Sequence, residues 1–381
     1  MEKKARVIAY YLPQYHPVPE NDKFWGKGFT EWTNVTKAKP LFRGHYQPQL
    51  PTDLGFYDLR VPEVREEQAK MAKDAGIEGF CYWHYWFGNG KMVLQRPFEE
   101  VVKQGKPDFP FCLGWANHDW TTKTWEKGKA FSQDNMIFKQ EYPGDEDYIA
   151  HFEYLLPAFK DERYLKVDGR LLFVVFQPFY IPDAKHFIEL WNKLAISHGL
   201  NGFYFIGRVE VFDKLDTTNI EQIEQNIMIR YQKCMDLGFD AVNSVTLKYA
   251  ELRATGMLKR GIRSIARKFF GGAVLDKHRY EDIIKYFNTK EDYMDNIYPQ
   301  LIPKRDRTPR SGKKAVIYYG STPEKFQVAI QNALRCVEKR DYDKRLIFLN
   351  AWNEWGEGSY MEPDIKDGHG YLEVLKKMIL K

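Results

Sequence analysis

The stretch Leu346-Ile347-Phe348-Leu349-Asn350-Ala351-Trp352-Asn353-Glu354-Trp355-Gly356-Glu357-Gly358 runs from an apolar segment straight into a turn bearing two carboxylates among tryptophans and glycines. Its opening residues are bulky and β-forming, without helical spacing, and read as a buried strand whose C-terminal end is polar. The same order, apolar run first and Tyr, Trp, amide or acid second, recurs upstream. Candidate strands cover 6–12, 77–83, 109–115, 171–176, 203–207, 241–245, 297–303 and 346–351. Helical patterns at 61–75, 148–159, 184–198, 281–286 and 323–339 fall between them, and such alternation implies a parallel sheet. Eight strands favour a single α/β domain over 1–381, a (β/α)8 TIM barrel, and no GxGxxG turn follows the first strand to support a dinucleotide fold. Two long insertions, about 13–58 and 248–278, belong to loops at the C-terminal face of that barrel.

Composition narrows the function. The 57 basic and 52 acidic residues leave a net charge of only +5, too weak a field to mark a nucleic-acid partner. Aromatics make up 16% of the chain and crowd into polar-aromatic stretches, which suits the apolar faces of sugar rings as well as a core. The four cysteines are scattered and read as buried free thiols, and neither they nor His16, His84 and His118 have metal-ligand spacing, so no metal and no cofactor are expected. No segment approaches the roughly 20 apolar residues of a membrane span, and no apolar leader opens the chain, which reads as a cytoplasmic monomer. The basic-apolar stretch 258–270 reads either as a peripheral helix with a solvated face or as one lying on a membrane surface.

In a barrel the chemistry sits at the C-terminal ends of the strands, and here those ends are dense in candidates. They are Tyr11, Gln14 and His16 after the first strand, Trp83 and His84 at the second, and Trp115, Asn117, His118, Asp119 and Trp120 at the third. Arg208 and Glu210 follow the fifth, Arg305, Asp306 and Arg310 the seventh, and Asn353 and Trp355 frame the pair Glu354 and Glu357 after the eighth. Two carboxylates at one rim are what glycosidic cleavage requires, one of them protonated, and Trp352 and Trp355 could raise a pKa by excluding water. Solvated loop carboxylates, or a helix cap, are the structural alternative. Two DxD triplets, Asp145-Glu146-Asp147 and Asp341-Tyr342-Asp343, read as a helix start and a turn at the far end of the barrel, not as a nucleotide-sugar metal site.

Segment 353–358 resembles the NEWxEG motif of glycoside hydrolase family 99, the retaining endo-α-mannosidases, and the chain is more similar still to the bacterial WbsX-like group with a family 99-like domain. The hallmarks are Tyr11-Leu12-Pro13-Gln14-Tyr15-His16-Pro17, Glu20-Asn21-Asp22, 25–32 (WGKGFTEW), 44–48 (GHYQP), 53–58 (DLGFYD), 79–86 (GFCYWHYW) and 106–112 (KPDFPFC), which span nearly the whole chain. The resemblance implies that Glu354 deprotonates the sugar 2-hydroxyl and that Glu357 is general acid and then base. One position departs: the group reads WANE where this chain has Trp115-Ala116-Asn117-His118, so a rim Glu is absent.

The expected function is a retaining, endo-acting hydrolase of α-linked, mannose-like oligosaccharide or polysaccharide in bacterial polysaccharide metabolism. A glycosyltransferase of O-antigen or capsule assembly and a non-catalytic glycan-binding barrel are the alternatives. Segment 13–58, rich in Phe and Trp and holding Pro17, Pro19, Pro40, Pro48 and Pro51, is expected to fold as an ordered lid that brings Glu31, Trp32, His45 and Tyr46 to the sugar.

Overall fold

The computed structural model describes residues 2–121, 136–212, 219–256 and 274–381. Eight parallel strands make a barrel: β1 Arg6–Tyr11, β2 Ile77–Trp86, β3 Phe111–Trp115, β4 Arg170–Val175, β5 Phe203–Glu210, β6 Ala241–Val245, β7 in two pieces, Ile297–Tyr298 and Gln300–Leu301, and β8 Leu346–Leu349. Strands follow one another round the sheet in chain order, and β8 returns to β1 in a register running from Arg6 opposite Leu346 to Ala9 opposite Leu349. The ring closes at β7, whose first piece pairs with β6 and whose second pairs with β8. Pro299 divides the two because it has no N–H to give a ladder, although its carbonyl still accepts from Phe348 N at 3.1 Å.

Helices α1 Pro62–Asp74, α2 Arg96–Gln104, α3 Asp145–Phe159, α4 Ala184–Ser197, α5 Ile220–Asp236, α6 Leu247–Thr255, α7 Pro323–Val337 and α8 Gly370–Ile379 follow β1 to β8 in turn. Barrel strands lie between this ring and the interior, so both their faces are buried and they read as near-continuous apolar runs. Side chains cap several helices: Asp183 accepts from His186 N at 3.0 Å at the start of α4, and Asn219 accepts from Glu221 N at 3.0 Å at the start of α5.

Every expected strand overlaps an observed one, but β2 and β5 run three residues further than expected, to Trp86 and Glu210. Those extra residues include Tyr85 and Arg208, which matter below. Asp145 to Asp147 form the first turn of α3 with Gly144 as the cap, and Asp147 accepts from Trp86 Nε1 at 3.1 Å. Asp343 lies at the opposite end of the barrel from the strand C-termini, paired with Arg6 at the start of β1.

The insertion after β6 contributes α6 and the strand Asp276–Arg279, while its stretch 258–270 lies outside the described residues. That strand pairs in parallel with Val316–Tyr319, which pairs antiparallel with Arg305–Asp306. This small sheet stands beyond the C-terminal end of β7 and leads directly into the short helix Thr308–Ser311. The insertion after β1 holds two short helices, Pro19–Trp25 and Glu31–Val35.

Candidate active site

Past β8 the chain doubles back on itself. Asn353–Glu354 pairs antiparallel with Ser359–Tyr360, and a single 3₁₀ turn, Trp355–Glu357, joins them through Gly358 at φ 57°. Gly358 is required twice over, since the left-handed conformation suits glycine and a Cβ there would stand 2.7 Å from Asp306 N. Asn353 fixes this hairpin to β1: its Oδ1 accepts from Leu12 N at 2.8 Å and its Nδ2 donates to Leu12 O at 3.0 Å. Trp355 anchors the other side, donating from Nε1 to Glu362 at 2.6 Å and stacking on Tyr360 with ring centroids 3.6 Å apart. Asn353 and Trp355 therefore hold the turn and do not touch the cavity, because both side chains point into the packed interior.

What the turn presents is a pair of carboxylates around one guanidinium. Arg310 Nη1 donates to Glu354 Oε1 at 2.8 Å and to Glu357 Oε1 at 2.9 Å, while its Nε donates to Glu31 at 2.9 Å. Glu357 is also paired with Arg305 at 2.9 Å and Arg307 at 3.0 Å. The small sheet positions these cations: Asp306, between two of them, accepts from His45 Nε2 at 2.7 Å, Gln47 Nε2 at 2.6 Å and Thr308 N at 3.0 Å.

The two acids are driven apart. Burial pushes the Glu354 carboxyl up and the neighbouring Glu357 charge pushes it further, with Arg310 only partly opposing them. Burial acts upward on Glu357 as well, but Arg307, Arg305 and Arg310 outweigh it and hold that carboxyl well below the usual range. Glu31, fully buried, is raised to about 7 by burial despite Arg310. Of the two, Glu354 is the carboxyl shifted toward holding a proton, and Glu357 the one shifted toward staying ionised. Exclusion of water thus raises Glu354 as the sequence suggested, and the three arginines lower Glu357, while Trp352 and Trp355 themselves are buried in the core.

These groups open into a cavity of about 360 Å³. Ten of the expected residues line it: Gln14, Trp83, His118, Trp120, Arg208, Glu210, Arg305, Arg310, Glu354 and Glu357. Gln14 Nε2 is buried with no hydrogen-bond partner among the described residues, a donor suited to a hydroxyl or carbonyl oxygen. Sequence reasoning missed Tyr10, Tyr85, Phe176, Arg307 and Asn350, which also line the cavity.

Several expected residues lie elsewhere, mostly because alternate residues of a strand face opposite sides. Tyr10 points inward and reaches across the barrel to Asn243 Oδ1 at 2.8 Å, so Tyr11 points outward, to Gln68 on α1 at 2.6 Å. Likewise Trp83 and Tyr85 face the cavity, and His84 turns away to His151, Nε2 to Nε2 at 2.9 Å. Trp115 is an outer-layer residue donating to Trp86 O at 2.9 Å. Asn117 clamps the β4 loop by accepting from Gln177 N at 2.7 Å, and Asp119 accepts from Gln140 N at 2.8 Å. His16 lines a separate cleft with Arg60 and Arg96.

The expected lid is a buttress. Of residues 13–58 only Gln14 lines the cavity. Trp32 is buried against Tyr15, Tyr57 and Trp355 and donates to Tyr57 O at 2.9 Å, Glu31 supports Arg310, and His45 holds Asp306. Tyr46 is 40% exposed and lines a neighbouring cavity of about 310 Å³. Tyr15, Trp32 and Tyr57 thus pack behind the acidic hairpin, Phe24, Trp25 and Phe29 contact one another, and Phe42 packs on His45 and Tyr319.

Close approach of the buttress gives one sharp expectation. A Cβ on Gly356 would lie 2.2 Å from Glu31 Oε1, so Gly356→Ala must displace Glu31 and with it Arg310. Overpacking of this kind costs about 1–3 kcal/mol, to be read from the midpoint of urea unfolding. The raised acids give another. Glu31 and Glu362 are lifted from 4.5 to about 7 by burial, so between those values the folded chain holds protons that the unfolded chain has released. Their contribution to stability is complete below about 4.5 and is lost as pH rises through 7, so the urea midpoint should fall from pH 5 to pH 8 and fall less in Glu31→Gln.

The model of the family described as "Glycosyltransferase WbsX" matches residues 7–375. Proteins named "Uncharacterized protein WxcX" from two strains of Xanthomonas campestris pv. campestris are 31% identical over 380 residues, 99% of this chain and 50% of theirs. The chain thus spans about half the length of the curated relatives it matches. Among solved structures, a "Glycoside hydrolase-like protein" superposes with a TM-score of 0.56 at 14% identity, covering 99% of this chain and 94% of that one. A GH99 endo-α-mannosidase from Bacteroides thetaiotaomicron superposes at 0.54 with 12% identity, covering 99% and 97%. At these identities the likeness is one of fold, a glycoside hydrolase-like TIM barrel.

Proposed function

The chain belongs to the WbsX family, and from that premise we propose that it is a carbohydrate-active enzyme that cleaves α-linked, mannose-like glycans within the chain and with retention of configuration. The observation that carries this reading is the sharing of one guanidinium nitrogen by Glu354 and Glu357 at a cavity lined with Trp83, Tyr85 and Trp120. Two oxygens bonded to the same nitrogen cannot lie further apart than those two bonds laid end to end. Such closeness is nearer the separation of about 5–5.5 Å found in retaining enzymes than the roughly 6.5–9.5 Å that an inverting enzyme needs for an intervening water.

The proton balance assigns the roles in the order opposite to that implied by the family 99 resemblance. Glu354, raised by burial and by Glu357, donates its proton to the departing glycosidic oxygen. Glu357, ionised between three arginines, faces the electron-deficient ring carbon or its 2-hydroxyl, and Glu354 then accepts the proton of the incoming hydroxyl. Rings of Trp83 and Trp120 stack the sugar, while Gln14 Nε2 supplies a hydrogen bond. The test is the anomeric configuration of the first-formed hemiacetal, read by proton NMR before mutarotation on an α-mannan oligosaccharide that is turned over. The α-anomer is expected, and the β-anomer would refute retention.

The family's description favours a second reading, transfer to a sugar acceptor, which the same two carboxylates could catalyse. Calorimetry with a panel of nucleotide sugars separates the two, since tight binding there supports transfer.

A further inference from the structure

The cations of the cavity are not equally engaged. Arg305, Arg307 and Arg310 face Glu357, Glu354 and Glu31 at distances of 2.8–3.0 Å. Arg208, at the end of β5, stands apart from them. Its guanidinium lies 4.6 Å over the Phe176 ring and its side chain is only 10% exposed. Among the described residues, the one carboxylate within 4 Å is that of Glu210, at 3.9 Å and 56% exposed. That separation is too long for a hydrogen bond, and solvent screens the pair. His118 also packs against Phe176, with ring centroids 5.0 Å apart. Burial keeps its imidazole below the ordinary histidine range, and Arg208 adds to that. The immediate surroundings of Arg208 in the cavity thus contain an aromatic face, a neutral imidazole and no closely paired acid.

We infer that the cavity accepts an acidic sugar, a hexuronate or similar residue, whose ring carboxylate is bound by Arg208. The inference rests on the glycan reading of the same cavity and names its substrate class. A guanidinium held over an aromatic ring keeps the donors on its edge available to a planar carboxylate, which it grips through two parallel N–H···O bonds. A sugar carrying a hydroxymethyl group at that position would remove water from Arg208 without offering a charge in return, so a neutral sugar binds more weakly. Trp83, Tyr85 and Trp120 line the same cavity and supply faces for the ring itself.

The test uses the whole chain and two simple probes, methyl α-D-glucuronopyranoside and methyl α-D-glucopyranoside, titrated at fixed ionic strength and followed by ligand-observed NMR. The glucuronide is expected to bind at least tenfold more tightly. Arg208→Met should bring the ratio close to one, and Arg208→Lys, which keeps the charge but not the two-pronged grip, should leave it in between. His118→Glu supplies an internal carboxylate beside Arg208 and should abolish the preference without touching the arginine. Circular dichroism of each variant identifies those that fold, and either Arg208→Met or His118→Glu suffices. Equal binding of the two glycosides by the unaltered chain, or a preference that survives in a folded Arg208→Met, would overturn the proposal. Displacement of the glucuronide by inorganic phosphate at equal concentration would also overturn it, by marking a phosphate site. Glu354→Gln keeps the preference whether or not Glu354 is the acid, so loss of the catalytic assignment and loss of this subsite are told apart.

Discussion

Arg310→Met is expected to abolish activity and to destabilise the fold by about 3–5 kcal/mol, the usual consequence of leaving a buried ionic cluster without one partner. Arg310 is 5% exposed and, among the described residues, is the one side chain bonded to Glu31, Glu354 and Glu357 together. Its removal leaves Glu31 fully buried beside Gly356 with no arginine, and Glu354 loses the charge that opposes its protonation. A fall of at least about 10³-fold in kcat/KM should accompany the loss of stability, since the carboxylate that reacts with the sugar is then misplaced. Glu31→Gln in the same chain removes the orphaned acid and should restore part of the stability but none of the activity. Urea unfolding of the two single variants and the double one measures the coupling.

How much of this was readable beforehand depended on whether the information was local. β8 and its acidic turn lie next to each other in sequence, so the apolar run and the carboxylate pair could be joined without a structure. The pairing of Arg305 and Arg307 with Glu357 could not be seen that way. They reach Glu357 only because Val316–Tyr319 pairs on one side with Arg305–Asp306 and on the other with Asp276–Arg279, a chain of long-range contacts with no local signature. Errors such as Tyr11 for Tyr10 and the inclusion of His84 beside Trp83 come from treating the whole end of a strand as rim. Counting by twos from Trp83 to Tyr85, or from Tyr10 to Leu12 and Gln14, would have found the inward face. The segment 13–58 shows a different limit. Its aromatics call for burial, but composition cannot say which surface they cover, and Tyr15, Trp32 and Tyr57 pack behind the hairpin.

The second large effect concerns the two carboxylates themselves. Glu354→Gln and Glu357→Gln should each lower kcat on natural glycans by about 10²–10⁴-fold, the range of a lost acid–base or nucleophilic group. Their pH behaviour differs. With Glu354 as the acid, activity of the unaltered enzyme is present while Glu354 is protonated and is lost as pH rises through its raised pKa, whereas the lowered Glu357 stays ionised far into acid. Replacing Glu357 by Gln removes the like charge that lifts Glu354, so residual activity in that variant should be lost at lower pH than in the unaltered enzyme.

The most direct measurement is the rate of each variant on a glycoside whose leaving group needs no proton, a 2,4-dinitrophenyl glycoside of a sugar that the enzyme accepts. Glu354→Gln is expected to release the first equivalent of dinitrophenolate within about tenfold of the unaltered rate, because that step needs no proton, and then to turn over slowly for want of the base, while Glu357→Gln stays inactive. The reverse pattern would give the acid to Glu357, and unchanged rates of both variants on natural and activated substrates alike would contradict the assignment of catalysis to this pair.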